Sequence, residues 1–372
     1  MTGIDRRTLL ATASAFGLSV AAGLRPAIAA DWQEGAGADW AKVMAAAKRE
    51  GKVVVAGHPA LARPFADDFK RDTGIELEFL GGNTRELTAR LQREVRAGSV
   101  TMDVSLGGGS ELLSLYPEGQ LVPIKSQLML PGVTNPKNWL NGRIKWMDKE
   151  GAYLFQGSYW VHAWSVVNGE RVKPGTVKSW KDYLKPEFKG RIAAYDPRSG
   201  GPGQSAAAYL VDVFGIDFVK QLYTGQEVVY TRDGRQLIEW LVRGNYDVAL
   251  GGVQIDVEQF RTRGISSLQV PELADGPGGV LGGFSVSKQP KNVPHPNAAT
   301  VFHNWYASQP GQTAYTRVML EPSSRVDVEV PTVPDYVKPK PGVKYLDQYE
   351  EGWYRDQRPK VEKIITDVLG GR

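Results

Sequence analysis

Residues 52–110 read KVVVAGHPALARPFADDFKRDTGIELEFLGGNTRELTARLQREVRAGSVTMDVSLGGGS, and one pattern recurs inside them. A β-branched run over 52–56 stops at Gly57, His58 and Pro59, and a helical pattern through Phe65 and Phe69 follows as far as Gly74. Residues 75–80 predict a second strand and 81–84 a turn, after which Leu87, Leu91 and Val95 mark one face of a helix that ends at Gly98. Residues 102–106 predict a third strand, closed by Gly107, Gly108, Gly109 and Ser110. Strand, glycine-bearing turn and helix in alternation build parallel βαβ units. The chain is therefore read as α/β, with its ligand-facing loops at the carboxyl edge of a sheet.

Upstream, Trp40, Val43, Met44 and Ala47 place an amphipathic helix over 39–50. Before it, Arg6 and Arg7 precede an apolar stretch over 9–24, then Arg25 and the small-residue site Ala27, Ile28, Ala29. That is the pattern of an export signal, and the paired arginines resemble a twin-arginine signal peptide over 1–30. Downstream, 121–150 carries Pro123, Pro131 and Pro136 with little periodicity and predicts irregular structure with short helical turns. Residues 153–167 are dense in aromatic and β-branched residues and predict strands crossing into a second lobe. A second α/β set follows: strands over 191–195, 228–230 and 246–250, helices over 204–214 and 237–242. After Gly282 and Gly283, a strand over 284–288 and a helix over 296–308 predict a return to the first lobe. The expected organisation is a first lobe of 31–155 with 284–330, a second lobe of 156–283, and a C-terminal extension of 331–372 with four prolines in its first 12 residues. Hinges are expected near 153–167 and 282–285.

The whole chain has 372 residues, 45 basic and 41 acidic; Arg6, Arg7, Arg25 and Asp5 fall in the signal, leaving 42 and 40. This near-neutral balance, with no Lys/Arg run, argues against nucleic acid as a partner. Zero cysteines exclude disulfides, thiolate metal sites and cysteine nucleophiles together. No apolar run of about 20 residues follows the N-terminus.

The residues at 201–206, Gly-Pro-Gly-Gln-Ser-Ala, have the spacing of a dinucleotide fingerprint, but Pro202 sits inside the tight turn and an exported chain is a poor place for nicotinamide cofactors. No cofactor is expected. The same physics suits a small anion: amides at a helix N-terminus, with Arg198, Ser199, Gly200, Gly203 and Gln204 around them, assisted by Arg232 or Arg235 at the end of the next strand. The plainer reading of these glycines is a turn that only satisfies its own backbone. On the opposing lobe His58, Asn83, Thr84, Gly109 and Ser110 lie in the matching loops, where they offer neutral hydrogen bonds. Histidines 58, 162, 295 and 303 show no metal-ligand spacing, and no Gly-x-Ser-x-Gly elbow occurs. Tyr159, Trp160 and Trp164 suit a cleft wall, although core packing is the commoner use of such residues.

These features together resemble an ABC-transporter solute-binding protein. They are the export signal, the interrupted first lobe, the Gly-Gly-Gly-Ser turn after Asp103-Val-Ser-Leu106, and the run from Tyr195 through Asp196, Pro197, Arg198, Ser199 and Gly200 to Gln204. Two further stretches, 244–250 and 294–299, carry the same likeness, which covers residues 40–325. The branch it resembles most is the ferric-ion type. The resemblance implies a type II periplasmic fold of two α/β lobes joined by hinge strands, a cleft ligand, a membrane permease as partner, a periplasmic location in a Gram-negative cell, and a monomer. Ferric members carry adjacent tyrosines after the strand matched by 246–250, whereas this chain has Val253, Gln254, Ile255 and Asp256 there, so Gln254 joins the candidate site. A small organic anion or phosphorylated compound is the expected ligand, with no metal ligands assigned. A ferric-ion receptor and a twin-arginine-exported enzyme are the alternatives.

Overall fold

The computed structural model describes residues 32–370 apart from Pro277, so the signal peptide expected over 1–30 lies outside the described residues. Thirteen strands in this span form three sheets. The strands are β1 (Lys52–Gly57), β2 (Glu76–Gly81), β3 (Val104–Gly107), β4 (Phe155–Gln156), β5 (Trp160–His162), β6 (Ser165–Asn168), β7 (Ile192–Tyr195), β8 (Val229–Thr231), β9 (Val248–Leu250), β10 (Leu268–Gln269), β11 (Gly279–Leu281), β12 (Val286–Lys288) and β13 (Leu346–Asp347).

The first sheet has the order β2-β1-β3-β12-β4. Its β1 runs parallel to β2 and β3, while β12 inserts antiparallel between β3 and β4. The second sheet, β10-β6-β9-β7-β8, is parallel across β9, β7 and β8 and antiparallel at β6 and β10. Both parallel cores arise from the strand-turn-helix alternation, because parallel neighbours need a crossover helix. The chain thus leaves the first sheet after β4 and re-enters it at β12.

Between the two lies a small third sheet, β13-β11-β5, in which the outgoing and returning crossings pair antiparallel with Val161 opposite Val280. The C-terminal segment adds β13 to the edge of β11. Strands were expected over 153–167, and the structure resolves them as β4, β5 and β6. The break at Gly157 and Ser158 comes from bonds to the other crossing: Ser158 N donates to Ser285 Oγ at 2.8 Å, and Ser158 Oγ to Gly282 O at 3.1 Å. Ala163, at φ 57°, makes the second break.

Helix Ala62–Thr73 buries Phe65 and Phe69 against Phe302 and Trp305 of the returning helix Pro296–Ala307, with the Phe65 and Trp305 rings 4.8 Å apart. This aromatic cluster is the centre of the first lobe's core. In the second lobe the helix Pro202–Phe214 presents Ala206, Ala207 and Leu210 to the sheet, small residues that allow close approach. The helix Gln309–Met319 was not read from the sequence. It starts immediately after Ala307, capped by Ser308, so two helices share one apolar run. No described helix is long and apolar enough to cross a membrane.

Candidate ligand-binding site

The carboxyl ends of β3 and β7 face each other across a cleft of about 450 Å³. Each end is a glycine loop, for a local reason. After β7, Gly200 and Gly201 take φ of 82° and 77°, values that favour glycine. Gly203 must be glycine for a different reason, since a Cβ there would sit 2.3 Å from Tyr195 O. This close approach brings the first turn of the helix Pro202–Phe214 onto the strand end. No side chain caps that helix, and its N-terminus opens on the cleft beside Ser199, Gly200 and Gln204.

Asp196 organises the loop. Its buried carboxylate accepts from Arg198 N at 3.0 Å, Arg198 Nε at 2.9 Å and Arg232 Nε at 3.4 Å. Burial opposes ionisation of this group, but the Arg198 bonds outweigh it and hold its pKa below the usual carboxylate value. Arg198 lines the cleft with its guanidinium also over the Tyr230 ring and its Nη1 donating to Leu369 O.

On the first lobe, Asn83 accepts from Glu86 N at 2.9 Å and caps the helix Thr84–Arg96, so Thr84 and Thr88 face the cleft with Gly109 and Ser110. Behind them, fully buried Lys288 lies 3.2 Å from Glu111 Oε2 and donates to Gly108 O, anchoring the glycine loop. Burial lowers the Lys288 pKa and the Glu111 charge opposes the change.

The remaining candidates lie elsewhere. His58 accepts from Ala60 N and packs on Phe284, in a small cavity behind the cleft, and burial lowers its pKa. Tyr159 lies under Lys145, 4.0 Å from its ring centroid, in a separate pocket with Asp347. Gln254 is buried and donates to Met319 O at 2.9 Å. Asn83 is exposed at its cap, Gly203 supports the cleft from beneath, and Arg232 and Arg235 are exposed on the second lobe outside the cleft wall.

Two further groups of residues complete the wall, and of these the sequence reading had named only Trp160 for that role. The floor is made by Trp160 and His162 of β5 with Leu281 of β11. The fourth side comes from the C-terminal segment: Tyr349, Tyr354, Arg358 and Glu362. Arg358 Nη2 donates to Gln204 Oε1 at 2.6 Å, its Nε donates to Glu362 Oε1 at 2.9 Å, and its guanidinium lies 4.4 Å from the Tyr354 ring centroid. The signal in the sequence was the four-residue spacing of Tyr354, Arg358 and Glu362, which puts them on one helix face.

The chain matches the family described as bacterial extracellular solute-binding protein over residues 65–338. An uncharacterized protein of Haemophilus influenzae is 30% identical over 154 residues, 39% of this chain, and the match spans only 43% of that relative's length. Among solved structures, iron-bound HitA from Pseudomonas aeruginosa is similar with a TM-score of 0.64 at 17% identity, covering 85% of this chain and 99% of HitA. AfuA from Actinobacillus pleuropneumoniae, solved with fructose 6-phosphate, is similar with a TM-score of 0.65 at 19% identity, covering 86% of this chain and 98% of AfuA. At such identities these structures speak for the type II periplasmic binding protein fold alone. With two α/β lobes, paired crossings and a cleft between facing strand ends, the chain belongs to the bacterial extracellular solute-binding protein family.

Proposed function

We propose that this protein is the periplasmic receptor of an ABC importer, which binds one small anionic solute between its lobes and delivers it to a membrane permease. The observation that carries the reading is the uncapped N-terminus of the helix Pro202–Phe214, open to the cleft with Arg198 and Arg358 beside it. Helix-end amides and guanidinium groups together form a receptor for phosphate or carboxylate. The crossings at β5 and β11 act as the hinge, so the receptor works as a monomer whose lobes close on the ligand. Iron-bound HitA raises the ferric alternative, while AfuA with fructose 6-phosphate exemplifies a phosphorylated ligand on the same fold. Both phenols nearest the cleft are engaged by the protein, Tyr349 Oη donating to Gly283 O at 3.1 Å and the Tyr354 ring lying 4.4 Å from the Arg358 guanidinium, whose charge favours an anion over a hard cation.

A thermal-shift screen tests the reading with organic phosphates, carboxylates, ferric salts and organic cations. At about one hundred times the dissociation constant, a ligand of the folded state adds about 2.7 kcal/mol. For a chain of this size that raises the melting temperature by roughly 4 °C. The expected result is such a shift with an organic anion. Stabilisation confined to cations or ferric salts contradicts the proposal.

A further inference from the structure

Trp160 and His162 alternate on β5, so their side chains share one face of the crossing strand, and both line the cleft. Trp160 Nε1 and His162 Nδ1 are buried and have no hydrogen-bond partner. The residues are 3% and 4% exposed, which keeps water from satisfying these atoms in the present arrangement. Gln348, with its amide turned to satisfy both of its ends, donates to His162 Nε2 at 2.8 Å. Burial holds the imidazole neutral, with a pKa pushed down to about 3, so the ring proton resides on Nδ1. Two N–H donors without acceptors thus lie just beneath the cleft floor, closed to solvent in the present arrangement, and native interiors rarely keep such donors unless something else supplies the acceptors.

The C-terminal segment places a cation beside these donors. It is tied to the first lobe by the Lys145–Asp347 ion pair and to the returning crossing by Tyr349 Oη, which donates to Gly283 O at 3.1 Å. It is tied to the second lobe by Trp353 Nε1, which donates to Asp212 at 2.7 Å, and by the Arg358 bond to Gln204. Because Gln204 is in the first turn of the helix Pro202–Phe214, Arg358 adds its charge at the helix N-terminus. Glu362, on the other side of the guanidinium, sets a carboxylate at the same wall.

We infer that Arg358 is the cation that seats the ligand's charged end, and that Trp160 Nε1 and His162 Nδ1 donate to oxygen atoms along its body. The ligand class is then an organic anion bearing hydroxyl or carbonyl oxygens, and a bare inorganic anion is a poorer fit. The C-terminal segment is part of the binding site and not an appendage. This assignment rests on the anionic-solute reading and names the groups that execute it.

The test is isothermal titration of the full chain with fructose 6-phosphate, citrate and inorganic phosphate, on the wild type and on Arg358→Ala, Arg358→Lys, Glu362→Gln, Trp160→Phe and Arg198→Ala. At least one of the organic anions should bind the wild type more tightly than inorganic phosphate does. Arg358→Ala should weaken that anion by roughly ten- to a hundredfold, and Arg358→Lys by less, since one charge remains but the planar fork is lost. Glu362→Gln should tighten binding, because it removes a competing carboxylate from the Arg358 guanidinium, and that gain should shrink when Arg358→Ala is combined with it, whereas a purely structural Arg358 would leave the gain intact. Trp160→Phe keeps the ring and loses the donor, so it should weaken the organic anion several-fold and leave inorganic phosphate unchanged. If Arg358→Ala and Arg358→Lys stay within twofold of wild type while Arg198→Ala abolishes binding, the assignment to Arg358 fails and the anion reading stands. If the wild type binds none of the three anions, the anion reading falls and this inference with it.

Discussion

Replacing Lys288 by alanine should lower the unfolding free energy by about 3–5 kcal/mol, the usual cost of leaving one member of a buried ion pair without its partner. Lys288 is 0% exposed and Glu111 1%, and the Nζ also donates to Gly108 O. Glu111 accepts in addition from Thr88 Oγ1 at 3.1 Å and Ser105 Oγ at 3.3 Å, bonds to neutral groups that cannot offset its charge. Without the ammonium, the carboxylate must take up a proton or pull water into the sheet. The glycine loop that carries Ser110 would also lose its anchor, so ligand affinity should fall along with stability. Urea denaturation of the single variant and of Lys288→Met with Glu111→Leu checks this. The double variant should recover most of the loss, because an apolar pair of similar volume avoids the desolvation of both ions. A loss below about 1 kcal/mol in the single variant would show that the pair is hydrated and does not hold the loop.

The second large effect is a pH dependence where the two crossings between the sheets meet. Glu321 is fully buried where both crossings pass, accepting from Ser158 Oγ at 2.9 Å, Tyr315 Oη at 2.7 Å and Phe284 N at 3.4 Å. Burial raises its pKa to about 7, and the hydrogen bonds only partly oppose that rise. The folded state thus keeps a proton that the unfolded chain releases near the ordinary carboxyl value of about 4.3. Between those two values the folded form binds more protons, so its stability is greatest in acid and falls as pH rises toward 7. The fall amounts to about 4 kcal/mol, at roughly 1.4 kcal/mol per unit. His162 and His303, with pKa values pushed down to about 3 by burial, contribute the opposite slope in acid, and Asp256, raised to about 6, contributes one of the same sign. These groups are common to the wild type and to Glu321→Gln, so the difference between the two proteins isolates Glu321. Denaturation at pH 5, 6, 7 and 8 should show the glutamine variant gaining on the wild type as pH rises. A difference that does not change with pH would mean that Glu321 is ionised throughout.

The architecture was legible because it is written in local pattern. Strand, glycine turn and helix recur within residues 52–110, and each repeat needs only neighbours along the chain to be recognised. The loops at the carboxyl edges follow from that topology, and this brought Thr84, Gly109, Ser110, Arg198, Ser199, Gly200 and Gln204 to one cleft. What local pattern does not carry is the long-range contact. Arg358 meets Gln204 across 154 positions, and no periodicity announces it. The C-terminal strand is two residues long and owes its existence to β11. Trp160 looked like either wall or core, because an aromatic strand reads the same way in both settings, and His162 was weighed only as a metal ligand. Arg232 and Arg235 follow the correct strand end, but Arg235 is exposed and Arg232, largely exposed too, spends its Nε on Asp196 outside the cleft wall. His58 also follows a strand end, and its ring turns inward onto Phe284.

The receptor account is tested most directly by native mass spectrometry of the exported protein purified without denaturant, followed by identification of whatever it releases on unfolding. The account predicts one small organic anion per chain, lost on denaturation and able to rebind the emptied protein. A released cation, or a chain that carries a metal ion without an organic anion, would contradict it.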